Sequence, residues 1–282
     1  MCKSCLMSTA EGDQEDLTRK QRREQARAQR KQLEEAEAAS AVRRKRLSQL
    51  GIVTAVVVVV IVVILVATGG GGGTKKVVSG TKAANETVAT VNSLIGGIPE
   101  HENVLGNPKA PVTLQYFGDL ECPICKEFTL GALPALLQSE VRTGKLKIEY
   151  LSLETATREP EVFKTQQVAA LAAGKQSKMW YFVELFYHEQ GEEDSGYVTE
   201  NYLQNLAQQV PGLNLTKWTT DRNDEALANQ VANDAQTASN QGFTGTPSFL
   251  LSKGGGAPQK LEAGTYTEAA PYEAAIEKLL KS

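Results

Sequence analysis

Cysteine and histidine are scarce in this 282-residue chain, with four of the first and two of the second. The cysteines form two C-x-x-C pairs, Cys2/Cys5 and Cys122/Cys125, and none is left over. A bridge across three residues closes too small a loop to constrain an unfolded chain much. A disulfide scaffold is therefore excluded, which leaves reactivity or metal binding. A complete structural zinc site needs four ligands. The acidic C-terminal part offers only Cys122, Cys125, His101 and His188, with no second C-x-x-C, so no metal site is expected there. A large net charge is also missing. At −3 overall the chain gives no sign of a polyanion partner, because phosphate binding rests on neutralising cations. No internal repeat is present.

The small total hides an asymmetry. Residues 1–50 hold 12 Lys/Arg against 8 Asp/Glu, and the remainder 18 against 25. Between the two parts, Gly51 to Thr68 reads GIVTAVVVVVIVVILVAT, without a charge or a proline. As a helix it would span roughly 27 Å, near the hydrocarbon thickness of a bilayer. Its β-branched residues would favour a strand in water, but lipid leaves helix as the way to satisfy the backbone. Arg43, Arg44, Lys45 and Arg46 precede it directly. The positive-inside bias then places the N-terminus in the cytoplasm and residues 69–282 outside. A cleaved signal peptide is the competing reading, but its apolar core is usually about 7–15 residues and its leader short.

The chain divides accordingly. Residues 1–49 read as a basic, partly helical or disordered cytoplasmic tail, with Cys2 and Cys5 as free thiols or half of a shared zinc site. Residues 50–68 are the anchor. Residues 69–87, opening with five glycines, form a flexible linker. Residues 88–157 and 241–282 form one α/β domain, interrupted over 158–240 by a helical insertion. The expected elements are an edge strand over Thr87–Val91, a strand over Pro111–Phe117, a helix from Cys122 kinked near Gly131 and Pro134, and a strand over Lys145–Leu151. Four helices follow, carrying Val162–Leu171, Trp180–Phe186, Leu203–Leu206 and Leu227–Val231. A strand over Pro247–Leu251, its hairpin partner over Lys260–Glu262 and a helix over Ala269–Lys281 close the domain. Trp180, Tyr181, Phe182, Phe186 and Tyr187 read as core packing, or else as a surface that grips unfolded clients.

The chemistry lies in FGDLECPICKEF, which follows a strand and opens a helix. Cys122 falls at the helix N-terminus. Pro123 falls at the first helical position, where its missing N–H costs nothing. Free N–H groups and the helix dipole stabilise a thiolate there, and such pKa values fall from about 8.5 to roughly 3.5–7.5. Cys125 lies one turn further in. Half of a zinc site and an inert disulfide are the competing readings. A second motif, Gly245-Thr246-Pro247, precedes the PSFLL strand. Taken alone, Pro247 reads as an ordinary strand-initiating trans proline.

Together, the strand–CPIC–helix unit, the helical block and the GTP-S-F-L-L strand resemble the DsbA-like thiol:disulfide oxidoreductases of the thioredoxin superfamily. The resemblance runs from about Leu105 to the C-terminus. It implies a thioredoxin-like α/β fold with an inserted helical domain, preceded here by a single transmembrane helix. It implies Cys122 as nucleophile and Cys125 as resolver, with their disulfide as the redox group and no separate cofactor. It also implies a cis Pro247 facing the cysteines, with Thr246 beside it and a backbone edge for an extended client segment. Phe117 and Leu120 would line the approach to Cys122.

Two positions depart from the pattern. Ile124 stands where the best-known members carry a thiolate-stabilising His, so Cys122 should be less acidic and the enzyme a milder oxidant. Tyr116 stands where some members keep a buried acid. Asp119 or Glu121 could substitute, but both read first as solvated loop acids. The functional expectation is an extracytoplasmic dithiol oxidase for exported, unfolded proteins, reset by a membrane redox partner and binding no nucleic acid. A reductase or isomerase, or a non-catalytic client-binding protein, are the alternatives.

Overall fold

The computed structural model describes residues 80–282. The expected tail, the anchor and most of the linker, with Cys2 and Cys5, lie outside the described residues. Among the described residues no helix is long and apolar enough to cross a membrane.

The first element corrects an expectation. Residues 87–91 are not an edge strand but the middle of helix α1, Lys82–Ile95. Their β-branched residues suggested a strand. The apolar positions, however, recur at Ala84, Val88, Val91 and Ile95, a helical spacing that puts them on one face. Thr81 caps the helix, accepting the Ala84 N–H at 3.2 Å.

A six-stranded sheet follows. Its strands are β1 (Glu100–His101), β2 (Val104–Leu105), β3 (Val112–Gly118), β4 (Leu146–Ser152), β5 (Ser248–Lys253) and β6 (Gln259–Lys260). They lie in the order β1-β2-β4-β3-β5-β6. β3 and β4 are parallel, which requires a crossover between them. That crossover is α2 (Pro123–Leu130), α3 (Ala132–Leu136) and a π-helical turn over Leu137–Val141. The expected kink is a break at Gly131. A Cβ there would stand 2.5 Å from the Glu127 carbonyl oxygen and 2.8 Å from Thr267 Cα. Only glycine lets those backbones meet. Pro134 then falls in the first turn of α3, where no intrahelical N–H bond is lost. The hairpin partner of β5 begins one residue earlier than expected. Pairing continues past it, with the Leu261 N–H donating to the Phe249 carbonyl at 3.0 Å.

The pleat sorts the core into two faces. Leu114 lies between Ile148 and Leu251, and Tyr116 between Tyr150 and Phe249. All six are buried in the main core with the helices. Phe117, Leu151 and Leu250 point the other way, into a smaller cluster with Leu153, Ala238 and Phe243.

Residues 158–240 hold five helices: α4 (Pro160–Gly174), α5 (Met179–Glu189), α6 (Glu200–Gln209), α7 (Leu215–Asp221) and α8 (Glu225–Asn240). The sequence reading missed α7, seven residues long and capped by Asn214. It is held by buried Trp218, whose indole N–H donates to the Ala169 carbonyl at 2.8 Å. Trp180, Phe182, Phe186 and Tyr187 are fully buried and Tyr181 is half-buried against them, so the aromatic cluster is chiefly core. α9 (Ala270–Lys281) closes the chain, packing Tyr272 and Ile276 inward.

Candidate active site

Cys122 sits where β3 hands over to α2. It is the N-cap of α2, with extended backbone (φ −69°, ψ 120°), and Pro123 follows at the first helical position. Its sulfur accepts the Cys125 N–H at 3.5 Å. Side-chain hydrogen bonding with Cys125 is the largest of the effects that pull the Cys122 thiol down to about 6. Burial opposes it, while Thr246 and the Cys125 and Ile124 N–H groups assist. Cys125 is fully buried, and burial pushes its thiol well above the usual cysteine range. Both are free thiols. The pair is therefore an exchange-competent thiolate backed by a protonated thiol.

The Thr246–Pro247 peptide bond is cis. The Thr246 carbonyl accepts the Cys122 thiol at 3.4 Å. Pro247 is buried, while Thr244 and Gly245 are exposed beside it. A groove of about 400 Å³ runs along this segment, lined by Phe243, Thr244, Pro247, Lys260, Leu261 and Tyr266 among others. Pro123 is exposed and Ile124 half-buried next to Cys122. Two expected lining residues are not there. Phe117 and Leu120 are both fully buried. Phe117 packs on Phe243 on the far face of the sheet, at 5.2 Å between rings, because the pleat turns it away from Tyr116.

The loop acids are a second correction. Asp119 and Glu121 are buried, not solvated. Asp119 accepts five hydrogen bonds, from the N–H groups of Glu121, Thr155, Ala156 and Thr157 and from the Thr157 hydroxyl, at 2.7–3.1 Å. It ties the loop before Cys122 to the segment after β4. Burial pushes Glu121 up to about 7, against a hydrogen bond from Thr157.

Behind Cys125 stands a wall of phenols. Tyr116 donates to the Tyr187 hydroxyl at 3.2 Å and lies 3.5 Å from the Cys125 carbonyl. Tyr187 donates to the Asp119 carbonyl at 3.1 Å. Burial holds both phenols well above their usual range, so neither ionises near neutral pH. At Tyr116, where the resemblance expects a buried acid, a neutral hydroxyl stands instead, and the buried acids near the cysteines are Asp119 and Glu121. Sequence reasoning missed Tyr187, Thr155 and Gln190. Gln190 donates to the Leu120 and Cys122 carbonyls at 2.8 and 3.1 Å. All three arrive from distant segments with no local signal. His101 is exposed and His188 half-buried. Among the described residues, no group of three or more His, Cys, Asp or Glu could hold a metal ion.

A cysteine pair of opposite character at the strand-to-helix turn, facing a cis proline across a thioredoxin-like sheet, defines a DsbA-like thiol:disulfide oxidoreductase. The chain belongs to the thioredoxin family whose model matches residues 99–261. It is 26% identical over 176 residues to disulfide bond formation protein D of Bacillus subtilis, covering 61% of this chain and 74% of that one. It is 25% identical over 154 residues to the probable disulfide bond formation protein D of Bacillus anthracis, covering 52% and 68%. Among solved structures, oxidised BdbD of Bacillus subtilis superposes with a TM-score of 0.55 at 21% identity, over 66% of this chain and 99% of that one. Alpha-DsbA1 of Wolbachia pipientis gives 0.51 at 21%, over 68% and 96%. At such identities these structures speak to the fold.

Proposed function

We propose that this chain is a membrane-tethered, extracytoplasmic dithiol oxidase that passes a Cys122–Cys125 disulfide to exported, unfolded proteins. The observation that carries this reading is the placing of Cys122 at the N-cap of α2 against the cis Thr246–Pro247 segment; its lowered thiol fits, because a low-pKa sulfur is the better leaving group in exchange. A client thiolate attacks Sγ of Cys122 in the oxidised pair, and the bond to Cys125 breaks. Cys125 leaves as a thiolate and takes up a proton. A second client thiolate then attacks the client sulfur of the mixed disulfide and releases the Cys122 thiolate. Two electrons pass from client to enzyme. A membrane partner takes them away. Thr246 and Pro247 offer a backbone edge to the client, and Pro123 and Ile124 flank the reacting sulfur.

The apolar run within 50–68 and the Arg43–Arg46 cluster support the tether and its orientation. The printed names of the Bacillus relatives support the oxidising direction. Ile124, in place of an acidifying His, favours a second reading as reductase or isomerase.

Equilibration with glutathione buffers decides between them. A potential well above about −200 mV is expected for the oxidase, and one near about −270 mV would establish the reductase. Cys125→Ala should accumulate mixed disulfides through Cys122, and their absence in cells would refute a client-facing exchange role.

A further inference from the structure

Segments far apart in sequence converge on the Cys122 sulfur, and one contact among them is not used by the exchange steps above. Thr155 lies in the stretch after β4. Its hydroxyl stands 2.5 Å from that of Thr246, whose carbonyl faces Cys122. Thr155 is held firmly. Its own N–H donates to Asp119 Oδ2 at 3.0 Å, and the next two N–H groups do likewise at 2.8 and 2.9 Å. The Asp119 carbonyl accepts the Cys122 N–H at 3.0 Å. One buried acid thus locks the segment bearing Thr155 to the loop bearing Cys122.

We infer that Thr155 is a positioning residue for the redox pair: its hydroxyl orients the Thr246 hydroxyl so that Thr246 donates toward the Cys122 sulfur. The protons decide which way the pair of hydroxyls donates. Each hydroxyl carries one. When Thr155 donates to Thr246, the Thr246 proton is left for the sulfur. In the reverse arrangement that proton is used on Thr155. A donor aimed at an anion favours it, and linked hydroxyls polarise one another. Hydrogen bonding from the Thr246 side chain is one of the effects that hold Cys122 low, after that of Cys125. The other ionisable groups on the joined segments are Asp119, Glu121, Glu154 and Arg158. The inference rests on reading Cys122 as the reactive thiolate, but not on the direction of electron flow.

The test follows iodoacetamide alkylation of the reduced, full-length chain against pH. The Cys122 peptide is resolved by mass, so Cys2 and Cys5 do not contribute. Thr155→Val keeps the shape and loses the hydroxyl. It should raise the Cys122 pKa by roughly half a unit to one unit. Alkylation below that pKa should slow roughly three- to tenfold in consequence. Thr155→Ser should retain the parent profile. Thr246→Val should raise the pKa as well, and Thr155→Val should add nothing on that background. An unchanged profile in folded Thr155→Val, or full additivity with Thr246→Val, overturns the inference. If the valine variant does not fold, Thr155→Ala is judged by the same comparison. A parent Cys122 that alkylates no faster than free cysteine would instead overturn the thiolate reading itself, before any variant is compared.

Discussion

The two sides of the CPIC turn contain the same residue type, three positions apart, in opposite surroundings. Both are buried, Cys122 6% exposed and Cys125 0%, and burial bears harder on Cys125. The direction from which polar groups arrive differs as well. The free N–H groups of α2 face the first sulfur, and hydrogen bonding with the Thr246 side chain adds to their pull. The second meets mainly apolar and phenolic walls. One thiol is therefore pulled down to about 6 and the other pushed well above the usual range. Burial raises both thiols; at Cys122 the hydrogen bonds outweigh it, and at Cys125 burial wins.

The largest expected effect comes from erasing the contrast. Cys122→Ser should abolish exchange, while Cys125→Ala should keep attack by Cys122 and lose release. Alkylation of the parent protein should be half-maximal near pH 6 at Cys122, with Cys125 unreactive until the domain unfolds. Equal reactivity at the two sites would break the comparison.

Next comes the clamp beneath the open side. Asp119→Ala leaves three consecutive N–H groups of residues 155–157 without their acceptor. A loss of about 3–5 kcal/mol in denaturant unfolding is expected, as when a buried charged partner is removed.

The sealed side carries a pH signature of its own. Glu184, on α5, is fully buried, and neither carboxyl oxygen has a hydrogen-bond partner. Burial pushes it up to about 8, from an ordinary value of 4.5. The folded state therefore holds this proton more tightly than the unfolded one. The associated stability is fully present below about pH 4.5 and is lost as pH rises through about 8. Glu184→Gln, which stays neutral, should flatten that loss by a few kcal/mol between pH 5 and pH 9. Urea unfolding at both pH values gives the answer. The smallest effect belongs to Tyr187→Phe. Loss of the bond to the Asp119 carbonyl and of the bond from the Tyr116 hydroxyl should cost about 1–2 kcal/mol. The Cys122 alkylation profile should stay in place, because the deleted group lies on the other side.

The sequence disclosed what is local. Cys122 as an N-cap with Pro123 behind it, the break at Gly131 and the alternating strand over 111–117 are all set within a few residues of each other. α1 was misread because Thr87 and Val88 spoke for a strand, while the face completed by Ala84 and Ile95 became decisive only once there was a core to pack against. α7 is too short for its period to show, and only the reach of Trp218 to Ala169 holds it. Asp119 looked like a solvated turn residue because its partners at 155–157 lie some 36–38 positions away. The family resemblance puts Phe117 at the site, and the period-two alternation of the strand sends it to the opposite face.

Thr246 reaches Cys122 across 124 positions of chain. An emerging polypeptide thus shows its dithiol long before it shows the strand that completes the site. Until β5 has docked beside β3, the first sulfur has the helix end but not Thr246 beside it. Assembly order gives the protein a maturation step, in which full thiolate character belongs only to a finished chain.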